Sequence, residues 1–117
     1  MRHHSNKKTL GREKNQRNAL MRSLSRSLLL KGGIVTTVTK AKAMKPFVER
    51  LITTAKTDTV AARRRVAARV GNDTGIMKVL FTEIAPKYAD RNGGYTRVIK
   101  LGKVGARSAE SARIELV

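Results

Sequence analysis

An α+β domain is what this sequence predicts, on three observations. Apolar residues recur at helical spacing in four separate stretches. Three other stretches are either β-branched throughout or alternate apolar with polar side chains. Most of the helical stretches fall together between the first strand and the last two, instead of alternating with strands one by one. A small three-stranded sheet must bury an apolar face, so about four helices are expected to pack on one face of it. An extended basic N-terminal arm, residues 1–17, precedes the pattern, and residues 18–117 form a single α+β domain. A chain of 117 residues supports one modest core and no second.

Residues 2–17 have no apolar period. From there Leu20, Leu24 and Leu28 recur every four residues, with Arg22 and Arg26 on another face, which predicts a helix over about 15–30. Gly32-Gly33 ends it, as glycine does at a helix C-terminus. Residues 34–39, Ile-Val-Thr-Thr-Val-Thr, are β-branched at every position and predict the first strand. The helical period returns at Lys40: Met44, Phe47, Val48, Leu51, Ile52 and Ala55 form one stripe, while Lys42, Lys45, Glu49 and Lys56 lie largely elsewhere. Pro46 inside this stripe either bends the helix or marks its first turn.

Asp58 or Thr57 can cap a third helix running through Arg69. Its apolar face is thin, and its basic face, Arg63, Arg64, Arg65 and Arg69, is broad. Gly71-Asn72-Asp73 then makes a turn with a ready N-cap, and Ile76, Met77, Leu80, Phe81 and Ile84 repeat at helical spacing up to Pro86. The last part of the chain changes to period two. Tyr95, Arg97, Ile99 and Leu101 alternate with Thr96, Val98 and Lys100; later Ala112, Ile114 and Leu116 alternate with Arg113 and Glu115. These two strands most simply form an antiparallel hairpin, and the helical crossover leaves the direction of the first strand open. Residues 102–111 between them are basic and poor in apolar side chains, and read as an exposed loop that orders against a partner.

Charge narrows the partners. Twenty-six lysines and arginines against eight acids give a net charge of +18, whose self-repulsion asks for a polyanion. Four aromatic residues and no tryptophan argue against a platform on which successive bases stack. With no cysteine there are no disulfides, thiolate metal sites or thiol chemistry. His3 and His4 are the only histidines, and two neighbours cannot both face one tetrahedral ion without further ligands. They are read as solvated or phosphate-contacting, with no metal and no cofactor. The acids offer no close pair for acid–base work, so no enzyme and no small-molecule substrate is expected.

The Gly93-Gly94 turn lacks the spacing of a phosphate loop and leads into a strand, not a helix. Its glycines can take positive φ and let a backbone come close, and Arg91, Thr96 and Arg97 surround them with donors suited to phosphate and 2′-hydroxyl groups. A tight entry turn to the strand explains the same residues equally well. The longest apolar cluster is Leu28-Leu29-Leu30, far short of the roughly 18 residues of a membrane span. Neither an apolar centre nor a cleavage site follows the basic start, so no secretory signal is read there. Arg22-Ser23-Leu24-Ser25-Arg26-Ser27 has the composition of a mitochondrial presequence, yet it runs unbroken into the patterned domain. Leu20, Leu24 and Leu28 opposite Arg22 and Arg26 would also suit a helix lying on an anionic membrane, but the later elements give that face a core to cover.

Several segments together are similar to the bacterial large-subunit ribosomal protein L17 family. They are Met1-Arg2-His3, Lys40-Ala41-Lys42, the run Leu51-Ile52-Thr53-Thr54-Ala55-Lys56, the end Ile114-Glu115-Leu116-Val117 and, most specific of all, Gly93-Gly94-Tyr95-Thr96-Arg97-Val98-Ile99-Lys100. They occur in order over nearly the whole chain. The resemblance implies a non-enzymatic structural constituent of the large ribosomal subunit that binds and stabilises the large ribosomal RNA. It would sit beside neighbouring large-subunit ribosomal proteins around the peptide exit, cytoplasmic and ribosome-bound; the missing leader favours a bacterial ribosome.

On this reading the RNA-binding arm supplies Arg2, His3, His4, Lys7, Lys8, Arg12, Lys14 and Arg17. The first helix adds Arg22, the third Arg63, Arg64, Arg65 and Arg69, and the strand entry Arg91, Gly93, Gly94, Thr96 and Arg97. Fully extended, the arm would reach roughly 50 Å at about 3.3 Å per residue. The domain and the arm would act as a clamp, with specificity coming from the shape of the folded RNA because phosphate contacts position without reading sequence. By charge alone, a general DNA- or RNA-binding architectural protein is the alternative.

Overall fold

A computed structural model describes residues 13–103 and 110–117 of the chain. Most of the arm, including Arg2, His3, His4, Lys7, Lys8 and Arg12, lies outside the described residues, as does the centre of the loop between the last two strands. Helix α1 spans Lys14–Lys31 and closes on Gly32, which takes the left-handed conformation at φ +81° and returns its N–H to Leu28 O. Lys14 and Arg17, expected in the extended arm, therefore stand in the first turn of a helix.

Strand β1 is shorter than its β-branched run suggests, covering Gly33–Thr37. Thr37 is extended, and its Oγ1 accepts the N–H of Lys40 at 3.3 Å, so Val38 and Thr39 already belong to helix α2, Val38–Ala55. Here an N-cap overrides strand propensity. Pro46 sits in the middle of α2 and neither begins nor ends it; the proline removes one bond of the ladder, that to the carbonyl of exposed Lys42.

Helix α3 spans Val60–Val70 and is capped by Thr59, not by Thr57 or Asp58: Thr59 Oγ1 accepts the Ala62 N–H at 3.1 Å. Asp58 takes a positive φ of 44° and turns its carboxylate to Arg63 instead. Gly71, left-handed at φ +66°, closes α3. The expected cap Asp73 then starts helix α4, Thr74–Val79, by accepting the Ile76 N–H at 3.1 Å. The rod continues through a widened π-helical turn, Leu80–Ile84, and a last α-helical turn, Ala85–Lys87. Pro86 is thus inside the helix end, one residue before the stop.

Strands β2, Thr96–Lys103, and β3, Glu110–Leu116, form the expected antiparallel hairpin, with a bulge between Lys100 and Gly102 that sets Leu101 out of register. β1 pairs antiparallel with the other edge of β3, giving the order β1-β3-β2. The row Ile34–Ile114–Val98 crosses the inner face, with Thr36–Ala112–Lys100 beside it. Helix α2 packs across all three strands and supplies the largest share of the core through Ala41, Met44, Val48, Leu51, Ile52 and Ala55. Leu28 and Leu29 of α1, Val66 and Val70 of α3, and Ile76, Leu80 and Phe81 of the last rod close around it. Among the described residues no helix covers the outer face of the sheet: Val35 and Ile99 are exposed there on either side of Arg113. Among the described residues the architecture is α+β: α1 and α2 pack on a three-stranded sheet, and α3 and the α4 rod pack on those helices.

Candidate nucleic-acid interface

The four arginines of α3 do not share one fate, because each residue advances about 100° around the helix. Ala62, Val66 and Val70 mark the buried stripe. Arg65 and Arg69, one turn apart, fall on the flank beside α2, whereas Arg63 falls on the opposite flank and Arg64 points away from the core. Arg63 is consumed within the fold: its NH2 lies 2.8 Å from Asp58 Oδ1, and its guanidinium stacks 4.5 Å from the centre of the Phe81 ring. Arg65 and Arg69 are exposed and make no ion pair among the described residues.

These two arginines border a groove of about 630 Å³ between α2 and α3. α2 contributes Pro46, Phe47, Glu49, Arg50, Leu51, Thr53 and Thr54; α3 contributes Arg65, Val66, Ala68 and Arg69; Gly93 and Tyr95 close one end. Arg50 was not among the candidate residues. It is exposed and forms no ion pair among the described residues, so it makes a third groove cation. Nothing local in the sequence marks it, since the cluster forms only where two helices cross.

The Gly93-Gly94 turn is held against α2 by a polar knot. Lys56 Nζ donates to Arg91 O and, at 3.1 Å, to Tyr95 Oη; Tyr95 Oη in turn donates to Arg91 O at 3.2 Å. The Thr53 hydroxyl, 3.4 Å away, together with Lys56 holds the buried Tyr95 phenol below its ordinary pKa in spite of desolvation. Tyr88 packs on Tyr95 with ring centres 5.2 Å apart. Gly93 and Gly94 take φ values of +94° and +64°, and a Cβ at either position would meet nothing within 4 Å. The turn therefore presents bare backbone to open space at the end of a basic groove, an arrangement suited to a close phosphate.

Other expected contacts are placed differently. Thr96 is buried, and both its N–H, at 3.2 Å, and its hydroxyl, at 2.8 Å, donate to Glu49 Oε2, so it pins β2 to α2 and has no donor left for a ligand. Arg91 donates to Val117 O at 3.2 Å and lies over the Tyr88 ring. Arg97 is paired at 2.6 Å with Glu115, which Arg113 shares at 3.1 Å. Those two arginines hold the Glu115 carboxyl below its ordinary pKa. Arg22 lies against the end of α3, its Cδ and NH1 each 3.3 Å from where a Gly71 Cβ would be, a favourable place for a cation. Arg26 makes a 2.6 Å ion pair with Asp73. The groove thus gathers three arginines that form no ion pair with a described acid, its lining acid Glu49 being engaged by Thr96, while the sheet end and the α1–α4 seam are neutralised internally.

Among the described residues no group of three or more histidines, cysteines or acids could hold a metal ion, and no helix is long and apolar enough to cross a membrane.

Residues 20–117 match the family model described as ribosomal protein L17. The chain is also similar to several curated relatives named large ribosomal subunit protein bL17. That of Persephonella marina is 49% identical over 117 residues, covering all of this chain and 93% of the relative. That of Clostridioides difficile is 51% identical over 108 residues, covering 92% and 95% of the two chains. That of Fusobacterium nucleatum is 45% identical along the full length of both.

Proposed function

Since this chain belongs to the ribosomal protein L17 family, we propose that it is a structural constituent of the large ribosomal subunit that binds and stabilises the large ribosomal RNA, without enzymatic activity of its own. One observation carries the RNA contact: Arg50, Arg65 and Arg69 converge with the open Gly93 turn on one groove, and no ion pair with a described acid neutralises them. Cations gathered in this way gain by releasing the counterions condensed on a phosphate backbone. The sequence ahead of α1 adds Arg2, Lys7, Lys8 and Arg12, cations of the kind that bind RNA phosphates. The same charge would also bind DNA, so the relevant quantity is preference.

The test is the location of the protein in the cell and its choice of nucleic acid. A tagged chain should sediment with large subunits through a moderate salt wash, ribosome-bound in the cytoplasm. The purified chain should bind large-subunit RNA more tightly than duplex DNA of equal length at physiological salt. Equal affinity for the two, or a mainly free protein, would overturn the reading in favour of a general architectural protein.

A further inference from the structure

We propose that the groove between α2 and α3 takes up one unstacked nucleotide of the RNA, with its base against the apolar wall and its phosphate between Arg65 and Arg69; this rests on the RNA-binding reading above and sharpens it. A surface meant only for phosphates gains nothing from an apolar wall. This groove has one: Pro46, Phe47, Leu51 and Val66 line it together with the arginines. A nucleotide has the same division, an apolar ring face at one end and an anion at the other. At about 630 Å³ the groove is within the range of small-ligand sites, about 300–1,000 Å³. A stacked duplex cannot offer a base to a concavity, whereas loops and bulges of folded RNA splay bases outward.

Glu49 also lines the groove. A carboxylate beside a phosphate site would be unfavourable for phosphate alone, yet it suits a base. Its Oε2 is engaged by Thr96, and Oε1 has no hydrogen-bond partner among the described residues. That oxygen can accept from the exocyclic amino group of adenine, cytosine or guanine, while uracil shows carbonyl oxygens in those positions. The site therefore favours an amino-bearing base over uracil. One ring against one apolar wall also fits a chain with too few aromatics for a stacking platform.

Two measurements on the full chain test this. In the first, amide shifts are followed while AMP, CMP, GMP, UMP or ribose 5-phosphate is added. The mononucleotides should move the amides of Phe47, Leu51 and Gly93 as well as those near Arg65 and Arg69, the amino-bearing three at lower concentration than UMP, and ribose 5-phosphate should move only those near Arg65 and Arg69. Identical shifts from ribose 5-phosphate, or none from any nucleotide, would overturn the proposal. In the second, Ala68→Trp fills the groove from an exposed position on α3 without removing a charge. It should weaken binding to large-subunit RNA about tenfold, the worth of one base contact, with the salt dependence unchanged. Thr39→Trp, exposed at the far end of α2, should leave affinity as it was. Full affinity in Ala68→Trp overturns the nucleotide site while RNA binding stands; a parent chain that binds no RNA overturns the reading beneath it and the proposal with it.

Discussion

Replacing Arg65 and Arg69 together by glutamine removes the two cations that α3 gives to the groove and little else. Glutamine forms helix about as well as arginine, and neither side chain makes an ion pair that the fold would lose. Each phosphate neutralised on single-stranded or irregular RNA contributes about 0.7 to the slope of log affinity against log salt, so with one phosphate held between the two arginines the double variant should be shallower by about 0.7. From roughly 50 to 200 mM salt, about 0.6 of a decade, the parent should therefore lose about 2.6-fold more affinity than the variant. Filter binding to large-subunit RNA over a salt series reads this directly.

Arg63→Gln, in the same run of arginines, is the control. Its side chain already serves Asp58 and Phe81, about half-exposed, so the slope should not change and stability should fall by about 0.5–1 kcal/mol. Equal slopes for parent and double variant, or an Arg63→Gln slope as shallow as that of the double variant, would refute the assignment of the groove.

Three further outcomes concern the fold that holds the groove. Tyr88 is buried and its hydroxyl has no hydrogen-bond partner among the described residues, so Tyr88→Phe should stabilise by about 1 kcal/mol, seen as a higher urea midpoint at unchanged m. Gly94→Ala adds a Cβ that meets nothing, so only the strain of φ +64° is felt; a loss of about 1 kcal/mol and a melting point lower by a few degrees is expected, and no loss at all would contradict that conformation. Acid should destabilise the fold. Arg97 and Arg113 hold Glu115 below its ordinary value of 4.5, and at Asp73 the Ile76 N–H and Arg26 outweigh the upward effect of desolvation from 3.8. The unfolded chain then binds more protons in that range, so their contribution is complete above the ordinary values and is lost as pH falls through the lowered ones. Melting points measured downward from pH 7 should drop below about pH 4.5, and Glu115→Gln should make the drop shallower.

Periodicity made the elements legible, because burial on one face imposes the period whatever the neighbours do. Leu28, Met44, Val48, Leu51, Ile76 and Ile114 were all assigned to buried faces and are all buried. Boundaries were harder where one residue type serves two purposes. Thr37 is β-branched and also a good cap, and only its hydrogen bond to Lys40 shows that it closes β1 and opens α2. Strand order was not legible, since the same alternation in β3 fits an edge or a centre. Charge was legible, but its use was not: Arg63, Arg65 and Arg97 look alike in sequence, and only the positions of Asp58 and Glu115 separate the ones already satisfied. Arg50 was invisible because its companions are on another helix and a distant turn.

Strand β3 lies between β1 and β2 although it is made last of the three. Until Glu110–Leu116 has emerged from the ribosome making the chain, neither of the other strands has anything to pair with, and Gly33–Thr37 waits for more than half of the chain to follow it. Sheet formation therefore waits on the last of the three strands, while the helices can form locally as they appear. The same order makes the tail a latch on the groove as well, for the N–H of Val117 is bonded to Tyr95 O beside the Gly93 turn. A nascent chain stopped before Glu110 would carry every cation of the binding surface and none of the sheet that sets their spacing: a polycation rather than a receptor.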